Sequence, residues 1–143
     1  MRNRFFKRYF WIIGFLIIAQ LEGRFVLAQP ILKDSYEGTA RVAAENENYV
    51  VAQKKAVSLA MKDAMSLAFK DLIGEEEFTA NQRDINNIIR QASRYVKSYR
   101  YLRALDDLEG RAGEVVLEVR FFPGAVNQAL ADMGVTAGPA SEH

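Results

Sequence analysis

The stretch AQKKAVSLAMKDAMSLAFKDLIG, residues 52–74, decides the fold because alanine returns at every fourth position. Alanines with this spacing follow one ridge of an α-helix and let a neighbouring element approach the helix axis closely. Lysine and aspartate fall on the opposite side, so the pattern is amphipathic. We therefore predict a long helix, capped by Asn46 or Asn48 and ending at Ile73 before Gly74, with its alanine ridge on the core. The ridge consists of Ala52, Ala56, Ala60, Ala64 and Ala68.

Three other segments are typical of strands. Residues 31–43 alternate in a two-residue period, with Gly38 at a point where another backbone could come close. SYRYLRALDD (98–107) and GEVVLEVRFFP (113–123) predict two further strands, joined by a glycine-containing hairpin loop.

Two shorter helices complete the pattern. Thr79 and Gln82 have the spacing of a capping box, which predicts a second helix from Thr79 to about Lys97. GAVNQALADMG (124–134) predicts a third. The expected fold is α+β, a small three-stranded sheet with two helices packed on one face, in the order β-α-α-β-β-α.

The N-terminus is typical of a secretory signal. Four basic residues precede the apolar run WIIGFLIIA (11–19), and Val26 and Ala28 suit cleavage after Ala28. We expect residues 1–28 to be a signal peptide, 29–135 a single interaction domain and 136–143 a disordered tail. The alternative is an uncleaved N-terminal helix that anchors the protein in the membrane. Export would place the protein in the periplasm or outside the cell.

Charge and composition narrow the function classes. Removing residues 1–28 takes five of 19 basic and one of 18 acidic side chains, which leaves 14 and 17. This mildly acidic balance disfavours a nucleic-acid partner. The 143 residues include no cysteine, and the one histidine is His143 at the C-terminus. The sequence therefore predicts no catalytic residue, no metal site and no cofactor.

A basic and aromatic segment, RQASRYVKSYRYLR (90–103), is the strongest candidate for a binding site. Arginine and tyrosine concentrate binding energy at protein interfaces. The alternative is ordinary surface, with Tyr95 and one strand tyrosine in the core and the arginines paired with Asp106 or the glutamates at 75–77. The candidate partner-binding residues are Arg90, Arg94, Lys97, Tyr99, Arg100, Tyr101 and Arg103.

Several sequence segments resemble those of a known family. YEGTARVAAENENYVVAQKKAVSLAMKDAMSLAFKDLIG, followed by YVKSYRYLRA, EVVLEVRF and ALADMGV, resembles the N-terminal domain of flagellar assembly protein T and related small bacterial envelope domains. The element order is also similar to that of POTRA domains. The resemblance implies a non-enzymatic module that docks onto other envelope proteins.

The sequence thus favours a periplasmic or outer-membrane-associated protein-interaction module in flagellar or envelope assembly. Its partner would be an envelope or periplasmic protein, with membrane contact only through an uncleaved N-terminal segment. Two alternatives stay open: a small exported carrier or sensor that binds an anionic ligand at the Arg/Tyr segment, and a membrane-anchored structural component. An edge of the sheet could also accept a partner strand, and the sequence does not indicate which edge is open.

Overall fold

The computed structural model describes residues 31–135. The predicted signal peptide (1–28) and C-terminal tail (136–143) lie outside the described residues. The elements are β1 (Tyr36–Ala43), α1 (Tyr49–Ala80), α2 (Gln82–Ile89), β2 (Val96–Asp107), β3 (Ala112–Phe121) and α3 (Pro123–Asp132), with 3-10 turns at Glu45–Glu47 and Ala92–Arg94. The α+β class and the order of the elements are confirmed.

The three strands form one antiparallel sheet in the order β1-β3-β2. β3 is central, and alternate residues of it face the helices. Val115, Leu117 and Val119 on that side are completely buried. The other face of β3 carries Glu114, Glu118 and Arg120 around Val116. The core therefore lies on one side of the sheet.

The alanine ridge brings α1 into backbone contact with β1. Ala56, Ala60 and Ala64 are completely buried. A Cβ added to Gly38 would lie 2.0 Å from the carbonyl oxygen of Ala60 and 3.0 Å from Cβ of Ala64. Such an approach leaves no room for a side chain on either surface. The predicted role of the ridge and of Gly38 is confirmed.

The ends of α1 follow the predicted caps in part. The Asn48 side chain accepts a hydrogen bond from the backbone N–H of Val51 at 3.2 Å. Gly74 breaks the helical backbone with φ 82° and ψ 161°, a conformation that favours glycine. Helical hydrogen bonding resumes after this break and continues to Ala80, further than the sequence predicted.

The prediction that Thr79 and Gln82 form a capping box is wrong. The Thr79 hydroxyl donates to the Glu75 carbonyl at 2.8 Å, so it lies inside the last turn of α1 rather than at a helix start. α2 begins at Gln82, and its N-cap Asn81 makes no side-chain capping bond.

The predicted limits of three segments also change. α2 ends at Ile89 rather than near Lys97, because the following 3-10 turn brings Ala92 into the core. β2 starts two residues early because Val96 already pairs with Phe121 of β3. β1 starts at Tyr36, so residues 31–35 are not strand.

The shorter helices close the same core. Ile85 of α2 and Val126 of α3 are completely buried, and Leu130 of α3 is nearly so. They share one apolar cluster with Phe69 and Met65 of α1. All helical packing is thus concentrated on the side of the sheet where β1 and β3 face α1.

Candidate functional site

The candidate site is built on β2, an edge strand that the helices leave uncovered. Its residues from Lys97 to Asp106 are all exposed, whereas β3 alongside it is mostly buried. α1 lies chiefly over β1 and β3. Within residues 31–135, β2 therefore offers both of its faces and one edge without a neighbouring strand.

Two tyrosines share the helix side of β2. Tyr99 lies opposite Val119 and Tyr101 opposite Leu117, so both rings stand on the core side of the sheet. Their centroids are 6.0 Å apart in an edge-to-face arrangement. They remain 45% and 54% exposed, an unusual amount of aromatic surface for neighbouring strand residues.

The arginines of β2 stand on the opposite face. The register shifts by one residue between Tyr101 and Arg103, a β-bulge that puts Arg103 on the same face as Arg100. Each arginine pairs with a glutamate of β3. Arg100 Nε lies 2.5 Å from Glu118 Oε2, and Arg103 Nη2 lies 2.8 Å from Glu114 Oε1.

These pairs change the electrostatics of the arginine face. The hydrogen bond from Arg100 lowers the pKa of the Glu118 carboxyl below its ordinary value of 4.5, against the opposing effect of desolvation. Each glutamate neutralises the arginine with which it is paired. The face is therefore a ladder of alternating charges rather than a basic patch.

The other three candidate residues lie before the regular part of β2. Arg90 follows the end of α2 and donates to the Asn87 side chain at 3.0 Å. Arg94 belongs to the 3-10 turn, and Lys97 lies at a second register shift. Within residues 31–135 none of these three forms an ion pair. The predicted cluster is thus divided among the turn and the two faces of β2.

The ordinary-surface alternative was only partly right. Tyr95 is half-buried against the core, as that alternative expected. Neither Tyr99 nor Tyr101 is in the core, however. Arg100 and Arg103 pair with Glu118 and Glu114 and not with Asp106 or the glutamates at 75–77. Glu75 pairs instead with Lys70 at 3.0 Å.

The sequence analysis did not single out the apolar part of the site. Leu102 and Leu105 of β2 are 47% and 49% exposed. The signal that could have identified them is the absence of a buried alternating face in 96–107, in contrast to the clean alternation of 115–121. A strand without such a face belongs at an edge.

A second set of polar contacts, around the Tyr36 hydroxyl, supports the fold rather than a binding site. The Tyr36 hydroxyl donates to Asp71 Oδ2 at 3.0 Å and accepts from the Lys33 backbone N–H at 3.2 Å. Burial and the nearby Asp71 carboxylate raise the pKa of Tyr36 to about 12. This group ties the start of β1 to α1.

The described part of the chain shows no cluster of metal-ligating side chains. Within the same residues, no helix combines the length and the apolar character needed to traverse a bilayer. Both findings concern residues 31–135.

Comparison with known proteins gives one match. A family model described as "Domain of unknown function (DUF8605)" matches residues 34–139. No curated protein and no solved structure matches. The matched range includes every element of the fold and the whole of β2.

Proposed function

The chain belongs to the DUF8605 family, a domain of unknown function, and we propose that it is a non-enzymatic protein-interaction module of the bacterial envelope that binds through β2. The family description assigns no activity, so the support comes from the surface. The observation that carries the proposal is an edge strand of 12 residues, of which the ten from Lys97 to Asp106 are exposed, and which is rich in tyrosine, leucine and arginine.

The composition of β2 suits a protein partner. Tyr99 and Tyr101 form a continuous aromatic surface on one face. Leu102 and Leu105 add apolar area, and arginines supply hydrogen-bond donors. Aromatic residues and arginine are enriched where protein interfaces concentrate their binding energy, while scattered single apolar residues are ordinary surface. The exposed residues of β2 are contiguous.

The arginine pairing favours a protein partner over the anionic ligand. A carrier for an anion needs cations whose charge is free to meet it. Arg100 and Arg103 already have carboxylates against them. Arg90, Arg94 and Lys97 supply exposed positive charge only before the regular part of β2. An anionic-ligand function would thus depend on these three residues rather than on the arginines of the regular strand.

Export supports an envelope location for this module. The basic and then apolar order of residues 2–19 is typical of a secretory signal. The proposal therefore places the domain in the periplasm or at the outer membrane, in flagellar or other envelope assembly. The resemblance of its sequence segments to those of the N-terminal domain of flagellar assembly protein T supports the same role.

A site-specific photocrosslink in the native cells tests the proposal. The full chain would carry a photoreactive amino acid at Tyr101 in one variant and at Leu59, which is similarly exposed on α1, in the control. A defined envelope protein captured from position 101 and not from position 59 is the expected result.

A captured protein would then be purified and its binding measured against two matched variants. Tyr99→Ser with Tyr101→Ser should weaken binding at least tenfold, while Leu59→Ser with Leu67→Ser, equally exposed on α1, should leave it unchanged. Equal capture from both positions, or equal loss of binding in both variants, would overturn the assignment of the site to β2.

A further inference from the structure

We infer that folding of this domain closes its own signal-peptide cleavage site. The signal is then removed only from a chain that has not yet folded, and a chain that folds first keeps its apolar N-terminal segment. The inference goes beyond the binding role of β2 and rests on the export in the proposed function. Two observations carry it: how firmly the first described residues are held, and how few residues separate them from the predicted cleavage site.

The chain is fixed to α1 at the very start of the described residues. Leu32 is 9% exposed and belongs to the apolar core. Lys33 is held twice, because its backbone N–H donates to the Tyr36 hydroxyl at 3.2 Å and its Nζ lies 2.8 Å from Asp71 Oδ1. The Tyr36 hydroxyl donates in turn to Asp71 Oδ2 at 3.0 Å. We call these four residues the N-terminal clasp.

The clasp lies close to the predicted cleavage site in the chain. Ile31 is 89% exposed, whereas Leu32 beside it is buried. The predicted site is the bond between Ala28 and Gln29, so three residues separate it from Leu32. Even fully extended, the four steps from Ala28 to Leu32 span at most about 14 Å. A compact domain of this size has a radius of gyration of about 13 Å, so the folded domain would lie directly beside the bond.

Cleavage of this bond needs more room than the clasp leaves. Hydrolysis adds water across the peptide C–N bond and gives the carboxylate of Ala28 and the ammonium group of Gln29. A protease holds the residues on both sides of such a bond in its cleft as an extended strand, through main-chain hydrogen bonds. Because the clasp fixes the chain after three residues, the folded domain would collide with the enzyme before the bond reached the cleft.

Cleavage of the folded chain therefore depends on opening of the clasp. The rate at which a locally opened segment is cut follows the equilibrium population of the open form. Opening exposes the Leu32 side chain to water and breaks both contacts of Asp71. A precursor with a long exposed segment after its cleavage site has no such restriction. In this chain, cleaved and anchored forms are two fates of one precursor, and the order of cleavage and folding decides between them.

A cleavage assay on folded and unfolded precursor tests the inference. The full 143-residue chain, refolded in mild detergent, would be incubated with a purified bacterial signal peptidase. The comparison is Phe69→Asp with Leu117→Asp, which places two charges in the core and keeps the chain unfolded without changing residues 1–36. We expect the unfolded variant to lose residues 1–28 and the folded wild type to be cut at least tenfold more slowly. Circular dichroism checks the folded state, and mass spectrometry identifies the bond that is cut.

A spacer separates distance from folding. Eight glycine and serine residues inserted between Pro30 and Ile31 leave the clasp intact and move it away from the cleavage site. This insertion should restore cleavage of the folded chain to the rate of the unfolded variant. The same eight residues inserted after Val135 should leave the folded chain resistant.

Loosening the clasp should have an intermediate effect. Leu32→Ser with Asp71→Ala removes the buried side chain and the shared carboxylate, so it should speed cleavage of the folded chain several-fold. Leu59→Ser with Asp84→Ala, both exposed on helices, is the matched control and should leave the rate unchanged. The spacer variant keeps the native clasp, so the test does not depend on folding of the loosened one.

Equal rates for the folded wild type and the unfolded variant would overturn the inference, and so would a spacer variant cut as slowly as wild type. An unfolded variant that is not cut at all would overturn it together with the predicted signal peptide. The photocrosslink at Tyr101 keeps these results apart from the binding role of β2, because it reports on that strand whether or not residues 1–28 have been removed.

Discussion

β2 and β3 run side by side in one hairpin, and they differ in almost every physical respect. β3 buries Val115, Leu117 and Val119 completely, because it lies under α1 and has a strand on each side. β2 lies beside it with Tyr101 more than half exposed. The comparison shows that the contribution of a strand to stability depends on what packs above and beside it, and not on its own β-propensity.

The largest expected difference between the two regions is the loss of stability when a large side chain is removed from each. Phe69→Ala takes a completely buried ring from under the sheet and should lower the free energy of unfolding by about 4 kcal/mol. Tyr101→Ala should cost under about 1 kcal/mol because the ring is largely solvated. Urea unfolding followed by circular dichroism measures both losses of stability. Equal losses would contradict the division between the core beneath β3 and the exposed strand β2.

The next largest effect is expected where α1 meets β1. Gly38→Ala places a Cβ against the Ala60 carbonyl oxygen, and since backbone cannot move aside cheaply, we expect a loss of about 3 kcal/mol. Gly124→Ala is the control, because nothing lies within 4 Å of an added Cβ and alanine suits a helix better. A neutral Gly38→Ala would mean that α1 lies further from the sheet than described.

Alkaline pH should lower the stability of the domain through Tyr36, which joins the start of β1 to α1. The pKa of Tyr36 is raised to about 12 in the folded state from 10.0, so its neutral form contributes stability that is complete below pH 10 and is lost as the pH rises toward 12. We expect wild type to lose about 2 kcal/mol more than Tyr36→Phe between pH 9 and pH 12. Parallel pH curves for the two proteins would show that Tyr36 titrates normally.

The smallest effect is expected on the arginine face of β2. Arg100→Met should return the pKa of Glu118 toward 4.5, because the hydrogen bond that lowers it is removed. The stability that this pair gives is present above that pH and is lost as the pH falls. Since the pair is solvated, the unfolding midpoint at neutral pH should barely move. A carboxyl NMR titration measures the shift, with Lys70→Met as a control that leaves Glu118 untouched.

The sequence was sufficient for the part of the fold that depends on periodicity. The four-residue spacing of alanine and the glycine at 38 predicted how closely α1 approaches β1. The capping box at Thr79 failed because the same hydroxyl can bond inside a helix as well as at its start, and only the break at Gly74 decides between the two.

The candidate site was less predictable. Residues 90–103 include most of the exposed strand β2, but their side chains separate onto two faces because of a bulge between Tyr101 and Arg103. Bulges depend on the partner strand and leave no local periodicity to read. The open edge was also hidden from sequence analysis, since it is the Asp63 side chain of α1 that closes the other one.

The strand order has a consequence for the order in which the domain folds. β1 precedes α1 in the chain, yet among residues 31–135 its one strand neighbour is β3, which follows about 70 residues later. The hairpin of β2 and β3 involves nearby residues and can form quickly, and β1 can pack early on the alanine ridge, but the edge of β1 that pairs with β3 stays open until β3 is complete. Closing that long loop is therefore the slow, high-contact-order step, and the interval before it is when a chaperone would be needed.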